Sequence, residues 1–186
     1  MTKTTSSKPD SVLYSSKDFA LIKALSGRLE ESYDIEIAYS SNAIFDGVDN
    51  DSMLIYLPNE NNTHDEVPIE TLFISGNFFK LLNIELLKGS YFTSFKSKEV
   101  IVNRKFADTY LNGVEPLHQS IFQETFDMRV SDNFSSVTNR KKVGYRIVGV
   151  VDNFYLDSKS NNIRPVIYFP MNTEVLAKNV IIHYSN

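Results

Sequence analysis

Cysteine is absent from the 186-residue chain. That excludes disulfides and thiolate nucleophiles outright, and it does not locate the protein, since both compartments tolerate cysteine-free chains. No apolar run approaches the roughly 18 residues that a helix needs to cross a bilayer. Residues Met1 to Asp10 are polar and hold no apolar stretch, so no secretory signal is visible. The chain therefore reads either as a soluble protein or as a segment whose membrane spans lie outside it. Excess basic charge is also missing. The formal net charge is −4, which argues against nucleic acid, because binding there depends on Lys and Arg neutralising phosphates. The one dense basic run, Asn139-Arg140-Lys141-Lys142, precedes a strand and reads as a solvated loop.

The usual marks of catalysis are missing as well. There is no G-x-S-x-G elbow, no P-loop and no G-x-G-x-x-G. His64, His118 and His183 are far apart in sequence, and none has a neighbour at metal-ligand spacing. Asp46, Asp49 and Asp51 make an acidic turn, but Gly47 precedes the Asp49/Asp51 pair, the wrong order for a calcium loop. Asn61-Asn62-Thr63 and Asn133-Phe134-Ser135 match the glycosylation pattern, which carries little meaning without a secretory signal. A Ser-His-Asp triad stays open at this level, because its members meet only in the fold. No catalytic, cofactor-binding or metal-ligating residue is expected, and no cofactor.

What is present is a well-filled apolar fraction, 42% of the residues, with 13 Phe and 10 Tyr, so aromatic rings are expected to dominate the core. A chain of this length buries well over half of its unfolded surface and needs no metal or disulfide staple. Residues 1–13 read as a frayed segment. Phe19, Ile22, Leu25 and Leu29 recur at helical spacing and predict a helix from about 16 to 31. Strands are predicted at Asp34–Tyr39, Ser52–Leu57, Ile69–Ile74, Glu99–Val102, Tyr145–Val151, Pro165–Phe169 and Asn179–Tyr184, with a loop over Asn59–Glu66. A short helix capped by Ser75 or Asn77 carries Phe78, Phe79, Leu81 and Leu82. A second helix starts at Asn103 and ends at Asn112-Gly113. Pro116 to Phe122 leads into a strand, and residues 123–142 are read as a hairpin with Thr125–Val130 as one arm. Strands outnumber irregularly placed helices, which gives an α+β fold with mixed or antiparallel sheet.

Three segments together resemble a known family. Phe73-Ile74-Ser75-Gly76-Asn77-Phe78-Phe79-Lys80-Leu81-Leu82 through Gly89 is similar to the first signature of the MacB-like periplasmic core domain. Glu99-Val100-Ile101-Val102-Asn103, with Lys105-Phe106-Ala107 and Pro116-Leu117, is similar to the second. Tyr145-Arg146-Ile147-Val148-Gly149-Val150-Val151-Asp152-Asn153-Phe154-Tyr155, with Ile163-Arg164-Pro165, is similar to the third. Order and spacing agree over about residues 67–170. Three positions depart from the pattern: Ser90 stands where an Arg is usual, His118 where a Gly is usual, and Asp152-Asn153 where a variable residue precedes Asp.

The resemblance implies the extracytoplasmic domain of a MacB/FtsX-type ABC-transporter permease, lying between the first two of four membrane helices at the periplasmic face of the inner membrane. It implies a porter-like lobe from residues 14–90 and 163–186, with a second α+β lobe, 91–162, inserted in it. The implied partners are a second permease copy, a cytoplasmic ATPase and a periplasmic substrate or adaptor protein. The implied role is mechanical transmission, with Ser90–Lys98 and Asp157–Asn162 as flexing linkers. Two other readings stand beside it. An extracytoplasmic sensor for a peptide or small molecule predicts a deep apolar pocket, and a hydrolase predicts a histidine converging with a Ser or an acidic pair.

Overall fold

The apolar alternation of this sequence produces a sheet that closes on itself. The computed structural model describes residues 35–41, 52–58, 64–131, 134–155, 162–171 and 179–184. The expected helix at 16–31, the acidic turn at 46–51 and most of the Asp157–Asn162 linker lie outside them. The described strands are β1 (Ile35–Ser40), β2 (Ser52–Pro58), β3 (His64–Ile74), β4 (Leu86–Gly89), β5 (Glu99–Asn103), β6 (Ser120–Ser131), β7 (Phe134–Val151), β8 (Val166–Pro170) and β9 (Asn179–Tyr184). Helix α1 spans Phe78–Leu81. Helix α2 spans Arg104–Phe106 and widens into a π-helical turn over Ala107–Leu111. Few helices and a dominant mixed sheet make this the expected α+β class.

The strands run in the order β2-β6-β7-β5-β8-β3-β1-β9, and β3 also pairs with β2. That extra ladder joins the first six strands into a ring, which removes their free edges. The ring takes β2, β3 and β8 from the end segments of the chain and β5, β6 and β7 from the middle one. β3–β8 and β5–β7 are parallel and the other ladders antiparallel. β3 starts earlier than the sequence suggested. Residues His64 to Glu66 pair with Pro58 to Tyr56, so a polar stretch read as loop is held in register by β2. The hairpin is confirmed and longer than expected, pairing Ser120 with Arg146 at its base and Ser131 with Phe134 at its tip.

Side chains alternate across a strand, so each ring strand feeds two layers. Ile55, Ile69, Val100, Val102, Ile121, Ile147, Ile167 and Phe169 cluster on one face. Leu72, Ile74, Ile101, Val166 and Tyr168 cluster on the other, beneath Phe78 and Phe79 of α1. Every residue of β5 and of β8 is buried for this reason. The outer layer is aromatic: Phe79 meets Tyr168 edge-on at 4.9 Å and Phe78 at 5.7 Å. Each such ring contributes about 1.5–3 kcal/mol through burial alone. Among the described residues the Tyr168 hydroxyl finds no hydrogen-bond partner, and burial pushes its ionisation far above the ordinary range.

Two local devices make the layers fit. In the β5–β7 ladder Val100 faces Ile147 but Ile101 faces Gly149, so Val148 is an extra residue. This bulge resets the phase of β7 and lets Ile147 and Val150 share one layer while Val148 and Val151 join the other. Gly149 lies opposite Gly89 of β4. A Cβ on Gly149 would come 2.6 Å from the Ser90 carbonyl oxygen, and one on Gly89 (φ +79°) 2.1 Å from that of Val148. By contrast His118 holds φ +72° with a full side chain, while its N–H donates to the Ile147 carbonyl. The departure from glycine seen in the sequence therefore falls on a position that favours glycine.

These positions predict opposite outcomes. Gly149→Ala should cost about 2 kcal/mol or more through forced backbone displacement. His118→Gly should gain about 1 kcal/mol, or roughly 2–4 °C in Tm, by relieving left-handed strain. Thermal or denaturant unfolding of the two variants checks both signs.

Candidate functional site

The polar side chains of the three signature segments converge on backbone joints. Asn103 ends β5 and is fully buried. Its Oδ1 accepts from the Phe106 N–H at 2.9 Å, capping α2 as expected, and from the Val166 N–H at 3.0 Å at the start of β8. Its Nδ2 donates to the Arg164 carbonyl at 2.8 Å. One amide thus fixes the end of β5, the start of α2 and the entry to β8. Asn153 adds a second tie, its Oδ1 accepting from the Lys105 N–H at 2.8 Å. Asp152 meets Arg104 at 3.3 Å.

Ser75 and Asn77 act elsewhere than expected. Neither side chain caps α1. The Tyr39 N–H donates to Ser75 Oγ, the Ser75 hydroxyl donates to Asn77 Oδ1, and Asn77 Nδ2 donates to the Ile37 carbonyl. The turn after β3 is therefore sewn to β1.

Two buried carboxylates complete the polar framework, and the motif search missed both. Glu70 on β3 pairs with Arg164 at 3.1 Å and is 5% exposed. Glu99 opens β5 and clamps the segment Ser90–Lys98. Its carboxylate accepts from the Thr93 N–H at 2.9 Å, from the Thr93 hydroxyl, and from Ser97 Oγ at 2.8 Å, and it faces Arg146 at 3.4 Å. A glutamate heading an otherwise apolar strand was the available signal. Burial pushes the Glu99 carboxyl up, but the hydrogen bonds from Thr93 and Ser97 and the Arg146 charge outweigh it and hold it below the usual carboxylate range. The linker read as a flexing point is thus tied down at Thr93 and Ser97.

The histidines stand on separate elements: His64 at the start of β3, His118 in the turn before β6, and His183 on β9. Among the described residues no group of His, Asp and Glu is placed to hold a metal ion. A cleft of about 360 Å³ lies between β4, the π-helical turn and the turn at 113–116. Lys88, Arg104, Asp108 and Glu115 are among its lining residues, and Lys88 meets Glu115 at 3.1 Å. It is open and mixed in polarity, unlike the deep apolar pocket a small-molecule sensor calls for.

The family model described as "MacB-like periplasmic core domain" matches residues 6–184. The chain belongs to that family. Two solved structures share the fold. The periplasmic region of MacB from Actinobacillus actinomycetemcomitans is 13% identical with a TM-score of 0.52, and the match covers 87% of this chain and 62% of that one. The extracellular domain of the noncanonic ABC-type transporter YknZ from Gram-positive bacteria is 15% identical with a TM-score of 0.54, covering 96% of this chain and 76% of that one. This chain thus spans less than two thirds of the MacB region it matches. A search of curated proteins finds no match. Within this MacB-like domain the signature residues Ser75, Asn77, Gly89, Asn103 and Gly149 all serve chain geometry. Among the described residues no helix is long and apolar enough to cross a membrane.

The Glu99 clamp predicts a pH signature. A carboxyl held low in the folded state stabilises the fold above its unfolded value and loses that contribution as pH falls through the folded one. Glu99→Gln should therefore cost about 1–3 kcal/mol near neutral pH. The gap from the unaltered chain should close as pH drops below about 4. Urea unfolding at several pH values reads both effects.

Proposed function

We infer that this chain is the extracytoplasmic domain of an ABC-transporter permease. It carries conformational change from a cytoplasmic ATPase to substrate export or to periplasmic partners, and it catalyses no reaction itself. The observation that carries this reading is that the first and last described strands lie side by side. β1 and β9 are antiparallel neighbours, with Ile35 opposite Tyr184. Such pairing suits a domain inserted between two membrane helices. The family match, and the likeness to regions of MacB and of the ABC-type transporter YknZ, support the same assignment. So does the use of the signature polar groups on backbone joints, since a body that passes force needs stiff connections. On this reading the chain works at the periplasmic face of the inner membrane, as a pair of permease copies driven by the ATPase through flanking helices.

The division into residues 14–90 plus 163–186 and residues 91–162 belongs to this proposal. Between the parts the ladders are short: β2 meets β6 at Ile55–Gln123 and Tyr56–Phe122, β5 meets β8 at Ile101–Tyr168 and Val102–Ile167, and β4 meets β7 at Leu86–Val151, Lys88–Val150 and Gly89–Gly149. Such short ladders are where two lobes can shift, with the Glu99 clamp restraining one linker.

Two experiments test these points. Protease added outside spheroplasts that express the whole gene product should cut within residues 35–184 and leave the ATPase intact; protection of this region refutes the assignment. The chain lacks native cysteine, so Tyr56→Cys with Phe122→Cys gives a single cross-strand disulfide. Its oxidation should block transport while ATP hydrolysis continues. Full transport in the oxidised permease refutes movement between the lobes.

A further inference from the structure

The segment clamped by Glu99 holds up two aromatic rings. Tyr91 is 41% exposed and Phe95 is 50% exposed. Tyr91 stacks on the buried Phe79 with centroids 5.9 Å apart. Phe95 lies over Gly76, where an added Cβ would stand 3.5 Å from Phe95 Cζ. Phe92 between them packs into the outer core layer. The rings are therefore fixed from below, and Thr93 and Ser97 are fixed by a buried carboxylate. Rigid, half-exposed aromatic residues lose little freedom on binding and make good anchors. Beside them, Lys96 and Lys98 are exposed and make no ion pair among the described residues, in a chain whose net charge is −4.

The position of this surface narrows what meets it. Gly76 follows β3, whose end pairs Ile74 with Ser40 at the end of β1. Ile35 and its partner Tyr184 lie at the opposite end of β1. A strand of this length separates the two ends by about 16 Å. If that end of β1 faces a membrane, the aromatic surface points away from it.

We propose that Tyr91–Lys98 is a docking surface for a partner protein in the extracytoplasmic space, taking a segment in which an apolar side chain is flanked by carboxylates. The apolar side chain covers Tyr91 and Phe95, and the carboxylates face Lys96 and Lys98. Its orientation away from the membrane rests on the proposed function, whereas the chemistry of the surface does not.

Selection of displayed random peptides on the 186-residue chain tests this. Enriched peptides should carry Phe, Leu or Ile beside Asp or Glu. Fluorescence polarisation of an enriched peptide should show binding weakened at least about tenfold by Phe95→Ser, and likewise by Lys96→Glu with Lys98→Glu. Unchanged melting temperatures confirm that both variants are folded. Failure to enrich such peptides, or binding that both variants leave intact, overturns the proposal. Binding of the chain to phosphatidylglycerol vesicles that the same variants abolish also overturns it, in favour of lipid. None of these results bears on the protease experiment, which reads membrane topology alone.

Discussion

The structure depends on one buried amide. Asn103 ends a strand whose residues are all buried, and its side chain satisfies two backbone N–H groups and one carbonyl, in α2 and at the entry to β8, that would otherwise be left unpaired. Each orphaned buried donor would cost about 1–3 kcal/mol, a large fraction of the stability of an ordinary domain. No apolar residue can replace that amide, because the need is for an acceptor and a donor at fixed places. The α2 cap, the start of β8 and the end of β5 are therefore one joint.

From that joint the two layers follow. β5 and β8 meet at the centre of the closed ring and send alternate residues to each face. The inner face is filled by branched aliphatic chains with Phe106 and Phe169, and the outer by the aromatic cluster of Phe78, Phe79 and Tyr168. The bulge at Val148 and the glycine pair Gly89–Gly149 let β4 approach β7 closely enough to cover that outer layer. Charge plays a restraining part. Glu70 and Glu99 are the buried carboxylates among the described residues, and each fixes a segment entering the core strands.

Much of this was legible in the sequence. Alternation located β1, β2, β5, β8 and β9 to within a residue or two, since a half-buried or fully buried strand must write its burial into its pattern. The cap at Asn103 and the stop at Asn112-Gly113 were also readable, because both are local chemistry; Asn112 and Gly113 indeed take positive φ. The start of β3 at His64 was not, as polar residues there are held by β2 and not by burial. Ring closure was invisible for the same reason: it rests on the pairing of residues distant in sequence. The short strand β4 was not readable either, because its four residues carry too little pattern to separate strand from helix. The likeness to the MacB-like family was visible as three weak segments in the right order. The polar residues Ser75, Asn77 and Asn103 in those segments hold backbone joints.

Native-state hydrogen exchange tests the central claim most directly. If the Asn103 joint is the tie that holds the frame, the amides of Phe106 and Val166 exchange only when the whole domain opens, with the same free energy as those in the middle of β5 and β8. Exchange of those two amides through local opening, at a free energy well below that of the core strands, would contradict it.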